Sequence, residues 1–120
     1  MPQQTMPAAE LSEAAAEAIR QLNHATLKWG SGLEYPGDAY STVANLKTLV
    51  QRLPQTFEQI LAFLADLHDG GHLRSDRDPN ADDDMAAVKA ALDWAADDAR
   101  NLAGSLDSAH SALSPIGYTA

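Results

Sequence analysis

The chain contains no cysteine, so its sequence offers no disulfide, no thiolate nucleophile and no cysteine-based zinc site. Aromatic residues make up only 6% of its 120 residues, although 45% of the residues are hydrophobic. Alanine supplies much of that hydrophobic share. Because alanine side chains are short, such a composition predicts a core in which helices approach one another closely.

Basic residues are also scarce. Lysine and arginine together number 8 against 17 aspartates and glutamates, which leaves a formal net charge of -9. Nucleic acid and anionic lipid both require clustered cations, so this balance argues against direct binding to either. It is compatible with a protein partner that carries a basic face.

Long hydrophobic runs are missing. No stretch approaches 18 consecutive apolar residues, and the first 30 residues lack a basic segment followed by an apolar one. We therefore expect no membrane span and a cytoplasmic location.

What the sequence does contain is an uninterrupted apolar stripe in residues 40–67. Its members recur at alternating spacings of three and four: Val43, Leu46, Val50, Leu53, Phe57, Ile60, Leu64 and Leu67. Four heptads with this spacing predict a long helix that packs against other helices, because a strand would require a period of two.

Two further segments repeat the pattern. The first stripe is Ala8, Leu11, Ala15, Ala18, Leu22, Ala25 and Trp29, and the third is Met85, Val88, Leu92, Ala95, Ala99, Leu102, Leu106, Ala109 and Leu113. A first helix is predicted from Ala8 to Lys28, and a third starts with the acidic run Asp82–Asp84 and ends before Pro115. We predict an all-α fold of three long antiparallel helices in an up-down-up bundle with heptad packing. Residues 1–7 would form a flexible arm, 8–114 the bundle domain and 115–120 a flexible tail.

Proline and glycine mark the limits of the central helix. The segment Tyr35–Asp38 predicts a turn with proline and glycine at its centre, followed by Asp38 as the N-cap. Pro54 lies inside the helix, yet the apolar spacing continues through it. We therefore predict a helix kinked at Pro54, with two abutting coaxial helices as the alternative.

The second and third stripes can be aligned as an antiparallel pair. Placing Leu67 beside Met85 brings Phe57 beside Ala95 and then Leu53 beside Ala99, so that large side chains face small ones. In this register the Phe57→Ala substitution would create a cavity and cost about 3–5 kcal/mol.

The loop between these helices contains the residues most suited to chemistry. Its weak metal candidates are Asp76, Asp78, Asn80, Asp82, His68 and His72. The acidic residues resemble the start of an EF-hand loop, but Ala81 stands where glycine is expected and Ala87 where glutamate is expected. The alternative is a solvated turn.

Neither a nucleophile elbow nor a phosphate-binding glycine loop is found, so we predict no enzymatic activity and no cofactor.

A surface for protein contacts is predicted mainly on the third helix. Trp94 falls outside the apolar seam, and large aromatic residues are depleted on monomer surfaces. Burial of Trp94 under helix 1 or the N-terminal arm is the alternative. Asp93 and Asp97 form an acidic face, either merely solvated or docked on a basic partner, and Phe63 and Leu49 flank the second stripe. The predicted interface residues are Trp94, Asp93, Asp97, Phe63 and Leu49.

One resemblance covers most of the chain. Its motifs are LNHAT at 22–26, LEYPGDAY at 33–40 and RLPQ at 52–55, followed by an acidic loop and an alanine-rich helix. Together they resemble small alanine-rich helical proteins of high-GC actinobacteria. The resemblance implies a bacterial cytoplasmic helper protein, with a link to mobile elements as one option. It carries over no functional residue, because no activity is established for that family.

Two functions of different class follow. The first is a non-enzymatic helical interaction module that associates with itself or docks on a protein with a basic or apolar face. The second is a metal- or ligand-responsive regulator that uses the loop 76–84 together with His68 and His72.

Overall fold

The computed structural model describes residues 6–28, 32–77 and 79–120. It contains three α-helices: α1 at Ala8–Ala25, α2 at Pro36–Asp69 and α3 at Asp82–Leu113. No strand occurs in those residues. The predicted all-α class is therefore confirmed. The described chain divides into two compact units, one formed by Met1–Ala39 with Ile116–Ala120 and the other by Tyr40–Pro115.

The first unit contains α1, which is shorter than predicted. The helix ends at Ala25 and not at Lys28, because the backbone of Thr26 leaves the helical region at ψ 1°. The backbone N–H and the hydroxyl of Thr26 both donate to the Leu22 carbonyl oxygen, at 3.0 and 2.9 Å. The sequence predicts the end of this helix from Gly30 and Gly32, of which Gly30 lies outside the described residues.

The apolar stripe of α1 is largely exposed. None of the residues Ala8–Ala25 is buried, and Leu11 is 48% exposed. In the same unit, Tyr35 and Tyr118 pack edge to face with ring centroids 5.4 Å apart. The up-down-up arrangement of three helices and the single domain 8–114 stay predictions.

The start of α2 differs from the predicted turn and cap. Pro36 is the first residue of the helix, a position where its missing N–H costs nothing, so Asp38 lies in the first turn and is not the N-cap. The Asp38 carboxylate instead accepts hydrogen bonds from the backbone N–H groups of Glu34 and Tyr35, both at 2.9 Å. This is the backward half of a capping box.

The second unit is built on α2 and α3, and α2 continues through Pro54 as a single helix. Pro54 is buried within it. The alternative of two abutting helices is therefore wrong, while the size of a bend at Pro54 stays a prediction.

Contacts between α2 and α3 run in opposite order along the two helices. Tyr40 stacks on His110, Lys47 pairs with Asp107 at 3.0 Å, and further along Glu58 pairs with Arg100 at 2.7 Å. Near the loop, His68 meets Asp82. This order is that of a helical hairpin, and each pair lies within about two turns of the predicted register.

The centre of this hairpin is small. Val50, Ala99 and Ala103 form its buried cluster, and four half-buried or exposed side chains pack against it: Leu49, Leu53, Phe57 and Leu106. Leu53 and Ala99 thus belong to one cluster, as their predicted pairing requires. The alanines leave room for the larger side chains of α2.

Two predicted stripe residues do not face the core. Ile60 and Leu102 are 44% and 49% exposed, while the neighbouring Leu61 is half-buried and Ala103 is buried. A strict heptad assumes 3.5 residues per turn, but a straight helix has 3.6 and drifts by about 20° per heptad. After two or three heptads the next residue along the chain therefore takes the inward position.

Candidate functional site

The loop end of the hairpin is closed by a histidine and an aspartate. His68 Nε2 lies 2.7 Å from Asp82 Oδ1 and 3.1 Å from the Asn80 carbonyl oxygen. Both partners are acceptors, so Nε2 carries the proton and donates to them. The contact ties the last turn of α2 to the first turn of α3.

A second set of contacts orders the middle of the loop. The Ser75 hydroxyl donates to Asp84 Oδ2, and Arg77 Nη2 donates to Asp84 Oδ1 at 2.5 Å. The hydrogen bond from Ser75, followed by the charge of Arg77, lowers the pKa of Asp84 below its usual range. Asp84 is thus already bound by its own loop.

The six weak metal candidates are only partly brought together. His68, Asn80 and Asp82 meet as described above, Asp76 and His72 are exposed, and Asp78 lies outside the described residues. Within residues 6–28, 32–77 and 79–120, no group of three or more metal-ligating side chains converges. The metal-responsive function stays a hypothesis.

Ala81 adopts a conformation that the sequence did not reveal. Its φ is 61° in the left-handed region, and the residue is only 5% exposed at the start of α3. The EF-hand pattern expects glycine at this position because of that backbone shape. A non-glycine residue there is strained.

Among the described residues of the hairpin, the large hydrophobic side chain with the highest exposure lies on the outer side of α3. Trp94 is 74% exposed. Its burial under helix 1 or the N-terminal arm stays the alternative. The residues one and two turns before it are small and also exposed: Ala87, Ala90 and Ala91. We call Ala87, Ala90, Ala91 and Trp94 the outer α3 face.

The remaining predicted interface residues differ in their surroundings. Phe63 is 62% exposed, whereas Leu49 is half-buried and packs against the core cluster. Asp93 accepts from Lys89 at 2.7 Å, and Asp97 accepts from Arg100 at 2.9 Å. These ion pairs lie at the surface, where water screens them.

A groove that the sequence analysis missed runs along one flank of the hairpin. It has a volume of about 540 Å³, and its apolar walls are Leu61, Ala62, Ala65, Met85 and Ala86. Its charged rim includes Glu58, His68, Asp82 and Lys89. The alanines at 62, 65 and 86 could have predicted it, because small residues beside the contact of two helices leave a groove open.

Comparisons with known proteins add no relative. No family model matches the chain, and no curated protein or solved structure matches it. The resemblance to actinobacterial helical proteins therefore stays a prediction. Among the helices described, none is long and apolar enough to cross a membrane.

Proposed function

We propose that this protein is a non-enzymatic helical interaction module that associates with a second copy of itself through the outer α3 face. The observation that carries the proposal is Trp94, which is 74% exposed on a helix whose other side forms the hairpin core. An indole exposed to this extent leaves a large apolar surface in water, and burying it in a contact is favourable.

The small residues beside Trp94 provide a complementary surface. If two α3 helices pack antiparallel about a two-fold axis midway between Ala87 and Trp94, each indole lies on Ala87 of the other copy. An isologous contact of this kind uses the same patch twice, as most homodimers do. Ala90 and Ala91 lie next to the axis and allow the helices to approach.

Charge sets the strength of this contact. In the same arrangement Asp98 of one copy faces Asp83 of the other, and like charges repel. The net charge of -9 acts in the same direction. We therefore expect a weak, reversible dimer whose interface is at the small end of the known range.

Light scattering over a concentration series tests the proposal. The average mass of the wild type should rise above the 12.8 kDa of one chain as its concentration increases. Trp94→Ala should remain a monomer and retain its helicity, because the side chain is exposed. Phe63→Ala is the matched control, since Phe63 is also exposed but lies on α2. A wild type that stays at the mass of one chain would contradict self-association.

A further inference from the structure

The flank groove of the hairpin is bordered by two helical stripes with the same design. On α2 the stripe is Glu58, Ala62, Ala65 and Asp69, and on α3 it is Asp82, Ala86, Lys89 and Asp93. Both follow spacings of four, three and four, so the members of each stripe lie on one side of their helix. Each stripe is acidic at both ends. The inner residues are both alanine on α2, and they are Ala86 and Lys89 on α3.

The antiparallel order of α2 and α3 places these acidic ends together. Asp82 meets His68, the residue before Asp69, so the two stripes end together near the loop. Glu58 pairs with Arg100 and lies at the other end, where Asp93 completes the α3 stripe. Glu58 and Asp82 line the groove at its two ends, and Asp93 and Asp69 continue the two stripes one turn beyond the lining residues Lys89 and Ala65. We call these four carboxylates the corners of the groove.

Its dimensions suit a short helix. Along α2 the stripe runs from Glu58 to Asp69, eleven steps of 1.5 Å, which corresponds to about 16 Å or three helical turns. The alanines at 62, 65 and 86 leave space between Leu61 and Met85. Larger apolar side chains of a docked helix would fill that space. This is the geometry of a helix docked in a groove, with anchors one and two turns apart.

The corner carboxylates select the charge of the occupant. Three of them already accept hydrogen bonds from their own chain, Glu58 from Arg100, Asp82 from His68 and Asp93 from Lys89. These contacts involve exposed side chains and are individually weak, so they compete poorly with additional cations. At the rim as a whole, carboxylates outnumber lysine and arginine.

We propose that the groove binds a basic amphipathic helix of a protein partner, with leucine-sized residues at i+4 and i+7 and lysine or arginine at i and i+11. The apolar residues would enter the trough over the alanines. The cations would meet the acidic corners at its two ends. The proposal concerns a different surface from the outer α3 face and does not depend on self-association.

A fluorescein-labelled synthetic peptide of about 15 residues with this pattern, otherwise alanine, tests the proposal by anisotropy with the full chain. We expect micromolar binding, and at least about tenfold weaker binding when glutamate replaces both lysines. Added salt should weaken the binding of the peptide that carries the lysines. Equal binding of the two peptides, or no binding of either, would overturn the proposal.

Matched variants locate the contact. Ala86→Gln narrows the groove and should weaken binding by about tenfold, whereas Ala112→Gln changes an equally exposed alanine of α3 outside it and should have an effect below about twofold. Asp69→Asn should weaken binding more than Asp98→Asn, although both remove one charge.

Two other results would also contradict the assignment. If Trp94→Ala abolishes peptide binding and Ala86→Gln does not, the peptide binds the outer α3 face. If the Ala86→Gln variant has a lower mass in solution than the wild type, a second copy occupies the groove. Circular dichroism of each variant confirms that the helices are retained.

Discussion

Phe57 and Phe63 lie six residues apart on the same helix, yet only Phe57 packs against the buried cluster of Val50, Ala99 and Ala103. Phe63 is 62% exposed. Replacing each of them by alanine therefore separates the contribution of core packing to stability from that of hydrophobicity alone.

We predict that Phe57→Ala destabilises the fold by about 2–3 kcal/mol, and that Phe63→Ala changes stability by less than about 0.5 kcal/mol. The first value is below that for a fully enclosed phenylalanine, because Phe57 is only half-buried. Urea unfolding followed by circular dichroism measures both. Equal losses for the two variants would show that Phe57 has no special place in the core.

Ala81 provides a prediction about backbone strain. A left-handed φ costs an L-residue about 1–2 kcal/mol, and a β-branched residue more. Ala81→Gly relieves this strain but loses a buried methyl group and gains freedom in the unfolded chain, so we expect stability within about 1 kcal/mol of the wild type. Ala81→Val should lose about 2 kcal/mol or more. Thermal unfolding of both variants measures the difference, and a Val variant as stable as the Gly variant would contradict the left-handed assignment.

Acid should weaken the fold through two carboxylates. Backbone N–H groups of Tyr35 and Glu34 lower the pKa of Asp38, and Ser75 with Arg77 lowers that of Asp84. A lowered pKa in the folded state means that the stabilisation is present above the unfolded pKa of about 3.9 and is lost as the pH falls through the folded value.

Carbon-13 NMR titration of the carboxyl groups tests this directly. Both should titrate below the ordinary 3.8. The thermal stability of Asp84→Asn should fall less steeply on acidification than that of the wild type. A titration of Asp84 at or above 3.8 would show that its contacts with Ser75 and Arg77 do not persist in solution.

Salt should strengthen self-association through the outer α3 face. Asp98 and Asp83 of opposite copies repel in the proposed arrangement, and ions screen exposed charges more strongly as the Debye length falls from about 10 Å at 0.1 M to about 3 Å at 1 M. Sedimentation at increasing sodium chloride should therefore give a rising dimer fraction. A falling fraction would indicate a contact held by ion pairs. The basic peptide should respond to salt in the opposite way, which separates the two surfaces.

The helices could be predicted from the sequence because their signals are local. The spacing of Val50, Leu53 and Phe57 revealed α2, and the aspartates at 82–84 revealed the start of α3. The exposed position of Trp94 followed from its place outside the seam. The inward turn of Leu61 and Ala103 was missed because a 3.5-residue repeat was extended over too many turns.

The loop and the groove depend on contacts that local patterns do not encode. The meeting of His68 with Asp82 requires two helix ends to converge, and the left-handed Ala81 occurs at a residue type that rarely adopts it. The groove depends on which flank of two paired helices carries alanine. The α2 start was misjudged because proline and aspartate fit both a turn and a first helical turn.

The most direct test of the proposed function uses the absence of cysteine, since one introduced thiol is the only one in each chain. Ala91→Cys places it beside the proposed two-fold axis, and mild oxidation should yield a disulfide-linked dimer. Ala112→Cys lies about 30 Å further along α3, so its thiols stay far apart in the proposed dimer and it should form no disulfide-linked dimer at the same concentration. If Ala91→Cys forms no disulfide-linked dimer, or if both variants cross-link equally, the outer α3 face is not the contact.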